Sequence, residues 1–273
     1  MRASWRGPRT ALIGHTGFIG SNIARSRDFG DAYNTSNIED VVGREYDLVV
    51  SAAGRADGHR INAAPEGDRA ELQRFAELLS QAEIGRLVHV STVCVSPDVE
   101  RCDEGVEPDA DELTPYGRNR LELERTLSDR FDTLSVRLPQ LFGAGIRKGL
   151  VHDLANDHRV EFVHPDAVFQ HYDLSRLWSD VELALDADLH VLNLATEPVS
   201  HGRVAREVFG RELEPRDEPP ASPGYTRDMT TRHAELLGGA GDHVMTADDE
   251  LAAMARFVAD EFGIGGPSEE VAS

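Results

Sequence analysis

The stretch "ALIGHTGFIGSNIA", residues 11–24, decides how the rest of the chain is read. A short apolar run ends at Gly14, and Gly17 and Gly20 follow at three-residue spacing, leading into a segment that repeats apolar residues every three to four positions. Each glycine has its own use: Gly14 for a sharp turn, Gly17 for close approach of a pyrophosphate, Gly20 for a helix packed against a strand. The helix that opens there offers unpaired N–H groups and the positive end of its dipole to phosphates. The pattern predicts a dinucleotide loop that also includes Thr16, Phe18 and Ile19. The alternative reading is a plain glycine-rich turn.

Outward from this loop, short apolar runs recur at 32–35, 47–54, 86–92, 133–139 and 190–195. Between them lie helical patterns such as "GDRAELQRFAELLSQAE" and "YGRNRLELERTLSDRF". Strands apolar on both faces and alternating with helices predict a parallel sheet covered on each side, a doubly wound α/β fold. The expected division is a dinucleotide-binding domain over 1–145, with a return strand at about 171–198. Residues 146–170 and 199–273 would form a small substrate-binding lobe. The prolines and charges of 206–225 signal a loop, "DDELAAMARFVADEFG" a last helix, and "IGGPSEEVAS" a frayed tail.

Composition limits the partners. With 49 acidic against 28 basic residues the formal charge is −21, which opposes binding to a phosphate backbone, so no nucleic-acid partner is expected. No apolar run is long enough to span a membrane and no cleavable leader is evident, so a cytoplasmic protein is expected. Lys148 is the only lysine, a bias that fits genome composition or a high-salt cytosol. Cys94 and Cys102 have no partners at metal-ligand spacing; free thiols and no metal site are expected.

The second apolar strand should end at the selector for the adenosine ribose, where a carboxylate holds the 2′-hydroxyl and disfavours a 2′-phosphate. Asn34, Thr35 and Ser36 stand there, and no carboxylate follows until Glu39. This tips the expected cofactor slightly from NAD toward NADP; solvated turn residues are the equal alternative.

Further along come "SAAG" (51–54), "STVCVSP" (91–97), Tyr116 with Arg120 four residues on, "RLPQLFGAG" (137–145), "FQHYDL" (169–174) and "NLATEPVS" (193–200). With the glycine loop, and in this order, these motifs resemble the extended short-chain dehydrogenase/reductases, the group of NAD-dependent sugar epimerases, dehydratases and reductases. The likeness covers nearly the whole chain and implies a Rossmann-like fold. It implies that Ile38, Ala52, Ala53 and Gly54 line the cofactor and that a small-molecule substrate meets Cys94, Gln140 and His171. It also implies a catalytic triad. Thr92 would hydrogen-bond the substrate oxygen and Tyr116 would pass a proton to or from it. Arg120 would bind the nicotinamide ribose and tune the tyrosine. A free tyrosine titrates near pH 10, so a base at pH 7 needs roughly 4 kcal/mol of differential stabilisation.

The family has lysine where Arg120 stands. Arginine keeps the charge but presents a planar fork instead of a point charge, so the exchange is not conservative. Ala167, Gln140 and Ser96 likewise replace the arginine, asparagine and aromatic residue of nucleotide-sugar enzymes, which implies a reshaped pocket. Three readings follow: a working oxidoreductase or epimerase acting on a secondary alcohol or ketone; an epimerase or lyase with internal redox; and a non-catalytic dinucleotide sensor. The two helical patterns quoted above correspond to the helices of the family's dimer contact, so a homodimer is expected, although sheet packing also explains their apolar faces.

Overall fold

The computed structural model describes residues 5–96, 101–217 and 228–264. Residues 265–273 of the tail read as frayed, Pro97 and residues 218–225 of the proline-rich loop lie outside these. The chain divides into two compact units.

The first unit (described residues 5–96, 104–138 and 175–193) is built on a six-stranded sheet. Its strands are β1 (Thr10–Ile13), β2 (Asp31–Tyr33), β3 (Leu48–Ser51), β4 (Leu87–Thr92), β5 (Thr133–Leu138) and β6 (Val191–Asn193). The order is β6-β5-β4-β3-β1-β2 and every pairing is parallel. β1, β3 and β5 are buried at every position, as a sheet covered on both faces requires. The chain leaves β1 for β2 on one side and returns to β3 on the other, so Ile13 faces both Tyr33 and Ser51 across the ladders. Ligands of such sheets bind beyond the carboxyl ends of the strands at this reversal.

Five helices belong to the unit: α1 (Phe18–Ser26), α2 (Gly58–Ala63), α3 (Pro65–Leu79), α4 (Pro115–Arg130) and α5 (Leu177–Asp186). Leu72, Ala76 and Leu79 of α3 and Leu123 and Leu127 of α4 close one face of the sheet over Ala11, Ile13 and Val49. The exposed positions of α3 and α4 are mainly polar, and Arg69 and Gln73 both donate to Glu122. On α4, Glu124 takes Arg137 of β5 in a buried ion pair at 2.8 Å.

The second unit (described residues 101–103, 139–174, 194–217 and 228–264) carries two short strand pairs and three helices. Gln140–Phe142 runs parallel to His171–Asp173, and Val168–Phe169 antiparallel to Val199–Ser200. Residues 139–145 and 171–174 therefore belong here and not with the large sheet as the sequence reading had them, because β5 ends at Leu138 and the next strand pairs with His171–Asp173. Helices Leu150–Ala155, His201–Phe209 and Ala247–Phe262 surround a core that includes Leu154, Val204, Val208, Met254 and Val258. Ser200 and Thr246 cap the last two helices by accepting from Arg203 N and Asp249 N.

Candidate active site

The glycine loop lies between β1 and α1. Gly14 adopts φ +83°, and a Cβ there would lie 2.7 Å from the Ala52 carbonyl oxygen. A Cβ on Gly20 would meet the Gly14 carbonyl oxygen at 2.1 Å, so the fold itself demands both glycines. Gly17 differs: its Cβ would find only that oxygen, at 3.3 Å. Gly17 is exposed and forms the N-cap of α1 without a side-chain cap, beside exposed Thr16. A pyrophosphate fits this arrangement, a backbone that can be approached closely at an uncapped helix start. Phe18 and Ile19 follow, partly buried.

After β2 the chain closes a self-contained polar turn. Asn34 Oδ1 accepts from Ser36 N at 2.8 Å and Ser36 Oγ at 2.6 Å, and Asn34 N donates to Asn37 Oδ1. Ile38 starts a short 3-10 turn and packs with Ala53 against the sheet core. Glu39 pairs with Arg74. After β3, Ala52 and Ala53 lead to exposed Gly54 at φ +136°.

β4 ends at Thr92, whose hydroxyl accepts from Cys94 N and caps the turn Val93–Val95. The start of α4 packs onto that turn so closely that a Cβ on Gly117 would lie 2.0 Å from the Cys94 carbonyl oxygen. Thr114 caps α4 by accepting from Gly117 N, Pro115 fills its first turn, and Tyr116 N donates to Asn62 Oδ1 at 2.8 Å. These contacts fix where the Tyr116 ring emerges.

Arg120 lies one turn further on, its guanidinium carbon 4.5 Å from the Tyr116 ring centroid. Its fork is committed elsewhere: Nη1 donates to Asp68 Oδ2 at 2.8 Å, and Nη2 to Asp68 Oδ1 at 3.0 Å and to the Arg55 carbonyl at 2.7 Å. Asn119 Nδ2 adds a bond to Asp68 Oδ2. Burial works against the Asp68 carboxylate, yet its bonds from Arg120 and Asn119 outweigh this and hold it below the usual range. Burial also pushes the Tyr116 phenol above its ordinary value; the charge and hydrogen bond of Arg120 pull it back only in part. The downward tuning expected from an adjacent cation is thus outweighed.

Of the residues named from sequence, Thr92, Cys94, Tyr116, Arg120 and the glycine loop all lie in the first unit. Gln140 and His171 lie in the second. His171 is fully buried and pairs with Glu250 at 3.2 Å, an environment that pushes the Glu250 carboxyl up through burial. Asp68, Asn119, Asn62 and Gly117 were not singled out from sequence. Both cysteines are free thiols. His152, Asp153 and His158 bring possible metal-ligand atoms within 4.8 Å of one another. Hydrogen bonds of both histidines to Asp153 account for that grouping.

The model of the NAD dependent epimerase/dehydratase family matches residues 26–193. The chain belongs to this family. It is an enzyme of the short-chain dehydrogenase/reductase type, and the matched segment carries Thr92, Tyr116 and Arg120. Among solved structures it is similar to dTDP-4-dehydrorhamnose reductase from Bacillus anthracis in complex with NADP. That match has 14% identity and TM-score 0.75, covering 93% of this chain and 99% of the other. It is also similar to UDP-N-acetylglucosamine 4-epimerase from Methanobrevibacter ruminantium in complex with UDP-N-acetylmuramic acid, with 14% identity, TM-score 0.72 and coverage of 92% and 97%. A third is UDP-glucuronic acid 4-epimerase from Bacillus cereus with NAD, at 13% identity, TM-score 0.70 and coverage of 92% and 99%. At such identities these likenesses establish the fold. No curated protein matches the chain in sequence. Among the described residues no helix is long and apolar enough to cross a membrane.

Proposed function

We propose that this enzyme oxidises, reduces or epimerises a secondary alcohol or ketone of a sugar or nucleotide sugar, with Tyr116 as the acid/base group. The observation that carries the reading is the seating of Tyr116 and Thr92. Thr92 ends a central strand, Gly117 lets α4 pack against the turn that follows it, and Tyr116 emerges in the first turn of that helix. In this reading Gly14, Thr16, Gly17, Phe18, Ile19 and Gly20 hold the dinucleotide phosphates. Asn34, Ser36 and Ile38 meet the adenosine, and Ala52, Ala53 and Gly54 line the remainder. When bound, the nicotinamide gives or takes hydride. Thr92 donates a hydrogen bond to the substrate oxygen, and the Tyr116 hydroxyl exchanges its proton with that oxygen. Arg120 stacks under the tyrosine and orients it. Cys94, Gln140 and His171 are assigned to substrate, although the His171 ring is buried against Glu250.

NADP is the preferred cofactor, supported by the lack of a carboxylate at 34–36 and by the engagement of Glu39 with Arg74. The assignment extends to a cytoplasmic homodimer assembled through α3 and α4, which would have to use their polar faces. A second reading, a dinucleotide-binding protein without turnover, is favoured by one observation, the commitment of the Arg120 fork to Asp68 and Arg55. A panel of UDP- and dTDP-sugars separates the two when read both by cofactor absorbance and by NMR of the sugar. Net reduction, or isomerised sugar with the cofactor recovered unchanged, is expected in wild type and lost in Tyr116→Phe. Turnover that survives Tyr116→Phe would refute the assignment.

A further inference from the structure

Arg120 is the residue that departs most from the family pattern, and the structure supplies what the sequence lacked, its partner. Asp68 sits in the first turn of α3, where a carboxylate also gains from the helix dipole. It is buried and accepts both ends of the Arg120 fork, while the Arg55 carbonyl takes a further bond from the same guanidinium. A bidentate pair of this kind fixes a plane as well as a distance. That plane lies against the Tyr116 ring. A lysine ammonium on a flexible stem would be neither so oriented nor so fully engaged.

We propose that Asp68 is a positioning residue for the Tyr116 site: it locks the Arg120 guanidinium against the tyrosine and offsets its charge, so that the phenol keeps its proton at neutral pH and enters the reaction as the acid and not as the base. The proposal rests on Tyr116 being the acid/base group, and it goes further by setting the direction in which the proton is poised. The groups that face Tyr116 are Arg120 on its own helix, Asp68 from α3 and Cys94 from the turn after β4. Arg55, from the loop after β3, faces Asp68, and His89 of β4 faces Arg120. Among these the closest cation is already paired, and the balance leaves the phenol above its ordinary value. Such a site suits addition of a proton to the oxygen of a carbonyl undergoing reduction, with the phenolate then reprotonated from water.

The test reads Tyr116 ionisation directly, as the ultraviolet tyrosinate difference between the protein and its Tyr116→Phe variant across alkaline pH. Asp68→Asn uncovers the Arg120 charge and is expected to lower the Tyr116 midpoint by about one pH unit or more, whereas Asp68→Glu, which restores the charge, is expected to return it toward wild type. An unchanged or raised midpoint in a folded Asp68→Asn variant overturns the proposal. Should that variant fail to fold, Asp68→Asn with Arg120→Gln removes both charges and leaves neither unpaired. Its midpoint is expected within about one unit of wild type, and a larger rise would show that Arg120 had acted on Tyr116 uncompensated. This titration needs neither substrate nor cofactor, so absence of turnover sinks the functional assignment without deciding this result.

Discussion

Replacing His89 with leucine should flatten the acid limb of the stability curve. His89 lies in the middle of β4, 1% exposed, and neither ring nitrogen meets a hydrogen-bond partner among the described residues. Burial drives its pKa from 6.5 down to about 4, with the Glu124 charge opposing the shift and Arg120 adding to it. Below about pH 6.5 the unfolded chain binds a proton that the folded chain refuses, so the stability this group leaves intact at pH 8 declines as the pH falls toward 4. At 1.36 kcal/mol per pKa unit, a gap of this size removes about 2 kcal/mol between pH 8 and pH 5. Leucine has a similar volume and no proton to bind. Urea unfolding of wild type and His89→Leu at pH 8 and pH 5 gives the comparison. The variant should gain about 2 kcal/mol on wild type over that interval, while His201, whose pKa burial lowers to about 3, affects both proteins alike. Parallel curves for the two proteins would mean that His89 is not buried in its neutral form, and the reasoning would fail.

Two glycine substitutions separate a structural from a functional residue. Gly20→Ala drives a methyl group into the Gly14 carbonyl and should cost more than about 3 kcal/mol or prevent folding, while Gly17→Ala should melt close to wild type and lose dinucleotide affinity by calorimetry. Arg137→Met leaves Glu124 buried without its partner and should cost about 3–5 kcal/mol in urea unfolding, most of it recovered when Glu124→Leu is added.

The six strands and the reversal after β1 were legible because a sheet buried on both faces leaves continuous apolar runs, and because Gly14 and Gly20 mark where backbone must approach backbone. Thr92 and Tyr116 were named from their motifs, and they lie at the end of β4 and in the first turn of α4. What could not be read was who partners Arg120. Asp68 lies 52 positions away and, by spacing alone, is one more acid on a solvated helix. Only the packing of α3 on α4 turns it inward. For the same reason Gly117 passes for an ordinary helix-start residue until the Cys94 carbonyl is seen against it. The boundary between the units was placed late in the sequence reading because "RLPQLFGAG" continues the apolar run of β5, yet Pro139 ends that strand and Gln140 pairs with a different partner.

The central claim is that the loop at Gly14, Gly17 and Gly20 binds a nicotinamide dinucleotide. Calorimetric titration of the purified protein with NAD+, NADP+, NADH and NADPH in parallel, after assay of a denatured extract for copurified cofactor, tests it most directly. Saturable micromolar binding is expected, tighter for the NADP pair and abolished by Gly17→Val. No binding of any of the four, with no cofactor in the extract, would contradict the account.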